Sequence, residues 1–246
     1  MIHIVGGAYI EECIDPHWDY FYGSGVRAAA ALMHLCDARE LTTYIPKKTD
    51  LLEYLGNTFQ FKVHPVASKV SYRFNYAHPL ATPQIFPPLG VKDREGSIKI
   101  KGENVLRFGF IEGDAIVHGK NVVYDPQSAY NPQPFGKNGS TAERLAIVAN
   151  ARESSMITGE KHLPLAGQKL LGSDNAEVVI IKCGSSGALV FTRTGMRQVP
   201  VFRTEHVWPI GSGDIFSAVF AHFWACDSIE PVEAIGAAQK GSHFDL

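Results

Sequence analysis

The sequence has no surplus of either charge: 23 Lys and Arg stand against 25 Asp and Glu, a formal net charge of -2, and the basic residues are scattered. Without a basic stripe there is no electrostatic footprint for nucleic acid, which is excluded as a partner. Cysteine is scarce. Cys13, Cys36, Cys183 and Cys226 lie far apart, with no C-x-x-C pair. The ten histidines are dispersed and form no H-E-x-x-H. That argues against a disulfide framework and a zinc site, and the thiols read as reduced and mostly buried. No apolar run approaches the length of a membrane span, and MIHIVGGAYIEE lacks the basic start and long apolar stretch of a signal peptide. The expectation is a cytoplasmic protein with no membrane partner, whose Asn138-Gly139-Ser140 sequon stays unmodified.

What is present is apolar material, 45% of 246 residues, enough for one large α/β domain with a small appendage. Residues 2–5 are a β-branched run stopped by Gly6-Gly7 and predict a buried strand. The Ala-rich stretch 26–35, entered through Gly23-Ser24-Gly25, predicts the first helix, and residues 41–45 the next strand. The middle of the chain changes period. Val70, Tyr72, Phe74 and Tyr76 alternate with polar residues, Phe59, Phe61 and Val63 do likewise, and residues 97–101 offer another short strand. A small antiparallel sheet or lid contributed by about residues 58–108 is the inference, with the proline-rich ATPQIFPPLG inside it as an irregular connector. Beyond residue 105 apolar runs alternate with helical stretches, as parallel βα units require. One helix is expected from about Ser140, where Ser140 and Glu143 have capping-box spacing, and a last pair over residues 215–225 and 231–239.

The stretch PIGSGDIFSA, residues 209–218, is the most informative. Two glycines and a serine precede an apolar helix, so free N–H groups and the positive end of the helix dipole would converge there on an anion. Asp214 admits two readings: a helix-start residue satisfying orphan N–H groups, or a base taking a proton from an attacking hydroxyl.

GSGDIFSAVFA resembles the C-terminal signature of the ribokinase-like (PfkB) carbohydrate kinase family, a G-A-G-D turn opening a helix. The resemblance implies a mostly parallel central sheet with helices on both faces, and transfer of the γ-phosphate of ATP to a hydroxyl of a sugar or nucleoside. It makes Asp214 the catalytic base and Gly211, Ser212 and Gly213 the anion hole. Asn150-Ala151-Arg152-Glu153 with Thr158-Gly159 is similar to the family's N-x-x-E element, which implies that Asn150 and Glu153 organise Mg2+ and phosphates, Glu153 as the metal-side residue. Lys182, Gly184 and Gly187 fall in the strand-turn that touches nucleotide phosphates, and Asp125-Pro126-Gln127 resembles its D-P-N turn. Gly23, Gly25 and Arg27 line up with the glycine-rich substrate turn and the helix after it, and Glu11, which also reads as a solvated loop acid, stands where the family has a sugar-binding Asp. Lid strands pair subunits in this family, and the aromatic edge Tyr72, Phe74, Tyr76 fits such a dimer or a fold back onto its own domain equally.

Four departures bear on this resemblance. Arg27 replaces the usual Asn and could pair with an anionic substrate group or lie on an exposed helix face. Trp208 replaces an Asp that in relatives helps hold a monovalent cation, Val219 replaces a frequent glycine, and the sequence stops soon after Ala237-Ala238, where relatives continue. They motivate an alternative, a ligand-binding relative without efficient transfer. A nicotinamide enzyme is a third reading, since Gly23-x-Gly25-x-x-Ala28 fits a relaxed dinucleotide fingerprint, but CIDPHWDYFY makes a poor preceding strand and Lys47-Lys48 stand where an acid is needed.

Overall fold

Apolar runs that do not alternate in the sequence become strands buried on both faces, each face taking every second residue. The computed structural model describes residues 1–46, 50–90, 94–128, 130–202 and 210–241. Its strands are β1 (Ile2–Val5), β2 (Ile10–Cys13), β3 (Trp18–Phe21), β4 (Arg39–Pro46), β5 (Lys62–Ser68), β6 (Arg73–Tyr76), β7 (Gln84–Phe86), β8 (Ile98–Phe108), β9 (Ala115–Asp125), β10 (Thr141–Asn150), β11 (Val178–Lys182), β12 (Ala188–Thr192) and β13 (Gly195–Val199). The helices are α1 (Gly23–Ala31), α2 (Leu51–Phe59), α3 (Ala151–Thr158), α4 (Leu163–Ser173), α5 (Ser212–Ala221) and α6 (Pro231–Gly241).

Nine strands form one sheet in the order β13-β12-β11-β10-β9-β8-β1-β4-β5. Pairing is parallel from β11 through to β5, and antiparallel only where β12 and β13 fold back. Leu106, Val123, Ala146, Val148, Val178 and Ile180 face one core with α1, α2, α5 and α6. Their neighbours Val105, Val122, Leu145, Ile147, Val179 and Ile181 face a second core with α4. This is the mostly parallel sheet with helices on both faces that the resemblance implied.

Several local readings are corrected. Residues 141–150 form a strand, not a helix from Ser140: the run 145–149 is buried on both sides between β9 and β11, and tertiary pairing overrides the capping-box spacing. Ser140 instead bonds Asn138 and accepts from Val117 N and Arg107. Residues 98–101 of that stretch belong to β8, one continuous strand of the large sheet, and β5 is that sheet's edge. Phe59 ends helix α2, so the alternation with Phe61 and Val63 has no strand under it at its start.

The small sheet has the order β3-β2-β6-β7, with β2 and β6 parallel and the outer pairs antiparallel. Two of its strands come from residues 10–21, ahead of the 58–108 segment, so CIDPHWDYFY supplies the turn, with its proline, and the second strand of a hairpin. Gln84–Phe86 pairs within the stretch read as an irregular connector. Lys47, Lys48 and Trp208 lie outside the described residues, as does the chain end beyond residue 241. Val219 is accommodated in the core, close to the space beside Gly241 of α6 that only a glycine leaves free.

One buried acid at the base of the small sheet has a consequence for stability. Glu112, in the turn between β8 and β9, is 4% exposed and accepts a hydrogen bond from the Tyr9 hydroxyl at 2.7 Å, while Tyr9 packs on Phe74 of β6. Burial pushes the Glu112 carboxyl up to about 7, against the Tyr9 hydrogen bond that favours the charged form. The folded state then holds this proton more tightly than the unfolded chain. Its contribution to stability is greatest below the unfolded carboxyl value and is lost as pH rises through about 7. Glu112→Gln keeps an acceptor for Tyr9 and removes that loss. Thermal melts should show the variant several degrees above the native chain at pH 8, an advantage on the order of 1–3 kcal/mol, and no advantage near pH 4.5.

Candidate active site

The carboxyl ends of adjacent parallel strands deliver the polar groups. Asp125 is the last residue of β9, Asn150 of β10 and Lys182 of β11, and Asn150 and Lys182 stand in register. Open α/β sheets bind ligands in the crevice outside these ends. A cavity of about 1320 Å3 lies there, and it reaches from the sheet to β6 and β7 of the small sheet.

Of the residues singled out from the sequence, Glu11, Gly23, Arg27, Asn150, Glu153, Lys182, Gly211, Gly213 and Asp214 line this one cavity. Gly25, Ser212, Gly184 and Gly187 do not line it. Gly25 has a packing role. A Cβ there would come within 2.6 Å of the Gly6 carbonyl oxygen, so the bare backbone lets α1 start directly against the end of β1. The Gly25 amide donates to Gly7 O at 2.9 Å, and Gly7 N donates to the Ser24 hydroxyl. Gly184 opens the 3-10 turn after β11 and Gly187 follows it, with φ of +56° and +83°.

Arg27 is not on an exposed helix face. Its guanidinium is 7% exposed, donates to both oxygens of Glu11 at 2.5 and 3.3 Å, and donates to Asp214 Oδ2 at 3.0 Å. The Tyr22 ring lies 5.0 Å away. Burial works against its charge, but Glu11 and Asp214 outweigh it and hold the guanidinium protonated, well above its ordinary value. Glu11 also accepts from Gly23 N at 3.0 Å, which ties β2 to the start of α1.

Asp214 sits in the first turn of α5, behind Gly211 at the N-cap with φ +79°. The N-cap position is a glycine and offers no side chain to the helix start. The Asp214 side chain turns to the cavity wall, where Oδ2 accepts from Arg27 and Oδ1 accepts from the Gln127 amide. Burial pushes its carboxyl up to about 6, with the Arg27 charge opposing and the Glu11 and Asp125 charges adding to the rise. A carboxyl poised there can exchange a proton near neutral pH.

Gln127 escaped the sequence reading as a site residue, although the D-P-N likeness pointed at its position. Its φ of +40° is unusual for a residue with a side chain, and its backbone N–H is held by Asp125 Oδ1. That turn aims its amide at Asp214.

Asp125 is 2% exposed, and its Oδ2 accepts from Lys182 at 3.1 Å and from Ser217 of α5 at 2.7 Å. Lys182 also stands against the glycine turn before α5: a Cβ at Gly213 would sit 3.2 Å from its Nζ. Burial would lower this ammonium, but Asp125 and Glu153 outweigh it and raise it.

Asn150 and Glu153 form a full capping box on α3: Asn150 Oδ1 accepts from Glu153 N at 2.8 Å, and Glu153 Oε2 accepts from Asn150 N at 2.9 Å. The other oxygen of Glu153 accepts from Ser128 N. Burial first, then the Asp125 charge, push Glu153 up to about 7. Both its oxygens and those of Asp125 are therefore committed to N–H and O–H donors. Among the described residues no group of three or more His, Cys, Asp or Glu could hold a metal ion. The residues do not fit a protein-built magnesium cage, and the positive charge that this corner supplies is the Lys182 ammonium.

Residues 130–239 match the model of the pfkB family carbohydrate kinases. The ATP-dependent ribose-1-phosphate kinase of Halopiger xanaduensis is 30% identical over 129 residues, 50% of this chain and 41% of that protein. The chain thus spans about two fifths of the length of this curated relative. Among solved structures, ribokinase from Thermotoga maritima superimposes with a TM-score of 0.68 at 18% identity, covering 98% of this chain and 90% of that one. Aminoimidazole riboside kinase from Salmonella enterica gives a TM-score of 0.66 at 12% identity, with 98% and 90% covered. At these identities the likeness is one of fold.

Proposed function

With a pfkB carbohydrate kinase match over residues 130–239 and a ribokinase-like fold across the described chain, we propose that the protein phosphorylates a hydroxyl of a sugar or sugar-related small molecule from ATP, with Asp214 as general base. The observation that carries this reading is the meeting of three groups on one cavity wall: a carboxylate poised near neutrality, the N–H turn of Gly211 and Gly213 at the mouth of α5, and a half-buried ammonium against that turn. Asp214 accepts the hydroxyl proton, and the turn amides with Lys182 take up charge on the transferred group. Glu11, across Arg27, marks the acceptor side, while Lys182 and Asn150 at the ends of β11 and β10 mark the donor side.

A second reading, a ligand-binding relative without efficient transfer, draws on one fact: both oxygens of Asp214 already have partners, Arg27 and Gln127. Incubation with ATP, magnesium and a panel of pentoses, hexoses, their phosphates and nucleosides decides between them. D-ribose 1-phosphate belongs in the panel because the Halopiger relative is a kinase of that sugar phosphate. ADP formation dependent on one acceptor, and abolished in Asp214→Asn, is the expected result. The same slow ATP turnover in both proteins with every acceptor would leave the binding reading.

A further inference from the structure

Arg27 has a position that neither acceptor recognition nor helix packing explains. It comes from the acceptor-side helix α1, yet its side chain lies against the anion turn of α5: a Cβ on Gly211 would fall 2.1 Å from Arg27 Nε and 2.5 Å from its Cζ. Gly211 is therefore the residue that admits this guanidinium to the transfer centre. One guanidinium thus touches the base Asp214, the acid Glu11 and the backbone of the phosphoryl-binding turn.

The bonding pattern separates two uses of this charge. Neither oxygen of Glu11 or of Asp214 is without a donor: Glu11 holds Arg27 and Gly23 N, and Asp214 holds Arg27 and Gln127. Arg27 NH1 spans the two carboxylates, whereas NH2 bonds Glu11 alone. Glu11 grips the guanidinium at both ends, while Asp214 holds it through one bond, which is the one that protonation of Asp214 weakens. The moment at which that happens is set by the reaction.

We propose that Arg27 is a catalytic residue that passes its hydrogen bond from Asp214 to the phosphoryl group in transit. The inference rests on the kinase reading above. In the step, the acceptor O–H bond breaks and its proton goes to Asp214. The acceptor oxygen forms a bond to the γ-phosphorus of ATP, and the bond from that phosphorus to the bridging oxygen breaks, its electron pair leaving on ADP. As Asp214 becomes neutral its hold on NH1 falls, at the instant when negative charge is spread over the phosphoryl oxygens beside Gly211. Glu11 keeps the guanidinium in place, so the charge needs no reorganisation to act. An arginine delivered to a phosphoryl group in this way is worth on the order of 10³ in turnover in other transferases.

The test does not depend on knowing the acceptor. Dissociation constants are measured for ADP with magnesium, alone and with aluminium fluoride, which mimics the transferring phosphoryl group. The native chain should bind the fluoride combination on the order of 10² tighter than ADP. Arg27→Met should lose that gain while its ADP affinity stays within about twofold, and Arg27→Lys should keep part of it. Because Arg27→Met leaves two buried carboxylates facing each other, the double variant Arg27→Met with Glu11→Gln is measured beside it and should behave alike. With the best acceptor of the panel, Arg27→Met should lower kcat by at least about 10² with KM little changed, and added guanidinium ion should restore part of it. Full tightening by fluoride in both Met variants, or a raised KM at native kcat, overturns the role of Arg27. No tightening and no transfer in the native chain overturns the kinase reading itself, and this inference with it.

Discussion

On the proposed function, Asp214→Asn should lower the turnover of phosphoryl transfer by about 10²–10⁴ and leave the fold and the binding of nucleotide in place. The size follows from the loss of a proton acceptor, since an amide cannot take the hydroxyl proton. The intact fold follows from the surroundings. The introduced amide can keep its oxygen toward Arg27, and its NH2 can donate to Gln127 once that side chain turns its own oxygen inward. Arg27 retains its two bonds to Glu11. Steady-state rates and a thermal melt on the same preparation check both halves. In the native chain the rate should also fall as pH drops through about 6, where Asp214 becomes protonated and can no longer accept. A variant that turns over at the native rate would return Asp214 to the role of a helix-start residue.

The large sheet and the anion turn were legible because each rests on a local signal. Residues 178–182 and 2–5 are apolar runs bounded by Gly or Lys, and such runs have one stable place in an α/β protein, between two neighbours. Gly211-Ser212-Gly213-Asp214 carries its own geometry, because only a residue free to take positive φ can open α5 with Arg27 packed against it. Residues 145–149 carried no such mark: LAIVA fits a helix face as well as a buried strand, and only β9 and β11 on either side decide. The hairpin of β2 and β3 was hidden by its polar residues. Glu11 and Glu12 look unfit for a strand until Arg27 and Arg73 are seen to meet them. The same holds for the site. Asp214 could be picked from its neighbours in sequence, but its links to Arg27, Gln127 and Glu11 span 187, 87 and 203 residues of chain and exist only after folding.

Lys182→Met should produce the largest loss of stability among single changes in the site, about 3–5 kcal/mol at pH 8, a fall in Tm on the order of 10 °C. Asp125 is 2% exposed and Glu153 buried, and the Lys182 ammonium is the cation that faces both. Removing it leaves two buried carboxylates in mutual repulsion. Glu153, already pushed up to about 7 by burial and by Asp125, would rise further and take up a proton. The loss should therefore shrink as pH falls from 8 toward 5, because the protonated Glu153 no longer opposes Asp125. Ser217 Oγ and Gln127 N continue to donate to Asp125 and cannot supply a charge in place of the ammonium. Adding Asp125→Asn to Lys182→Met should recover most of the melting temperature, since the amide keeps an acceptor for Ser217 and removes the unpaired charge. Donor binding should not recover, because the charge lost beside Gly213 is the one that, on the proposed function, meets the phosphoryl group. That split, with stability restored and nucleotide affinity still low, separates the two tasks of one lysine: neutralising the acids at the ends of β9 and β10, and completing the anion site at the start of α5.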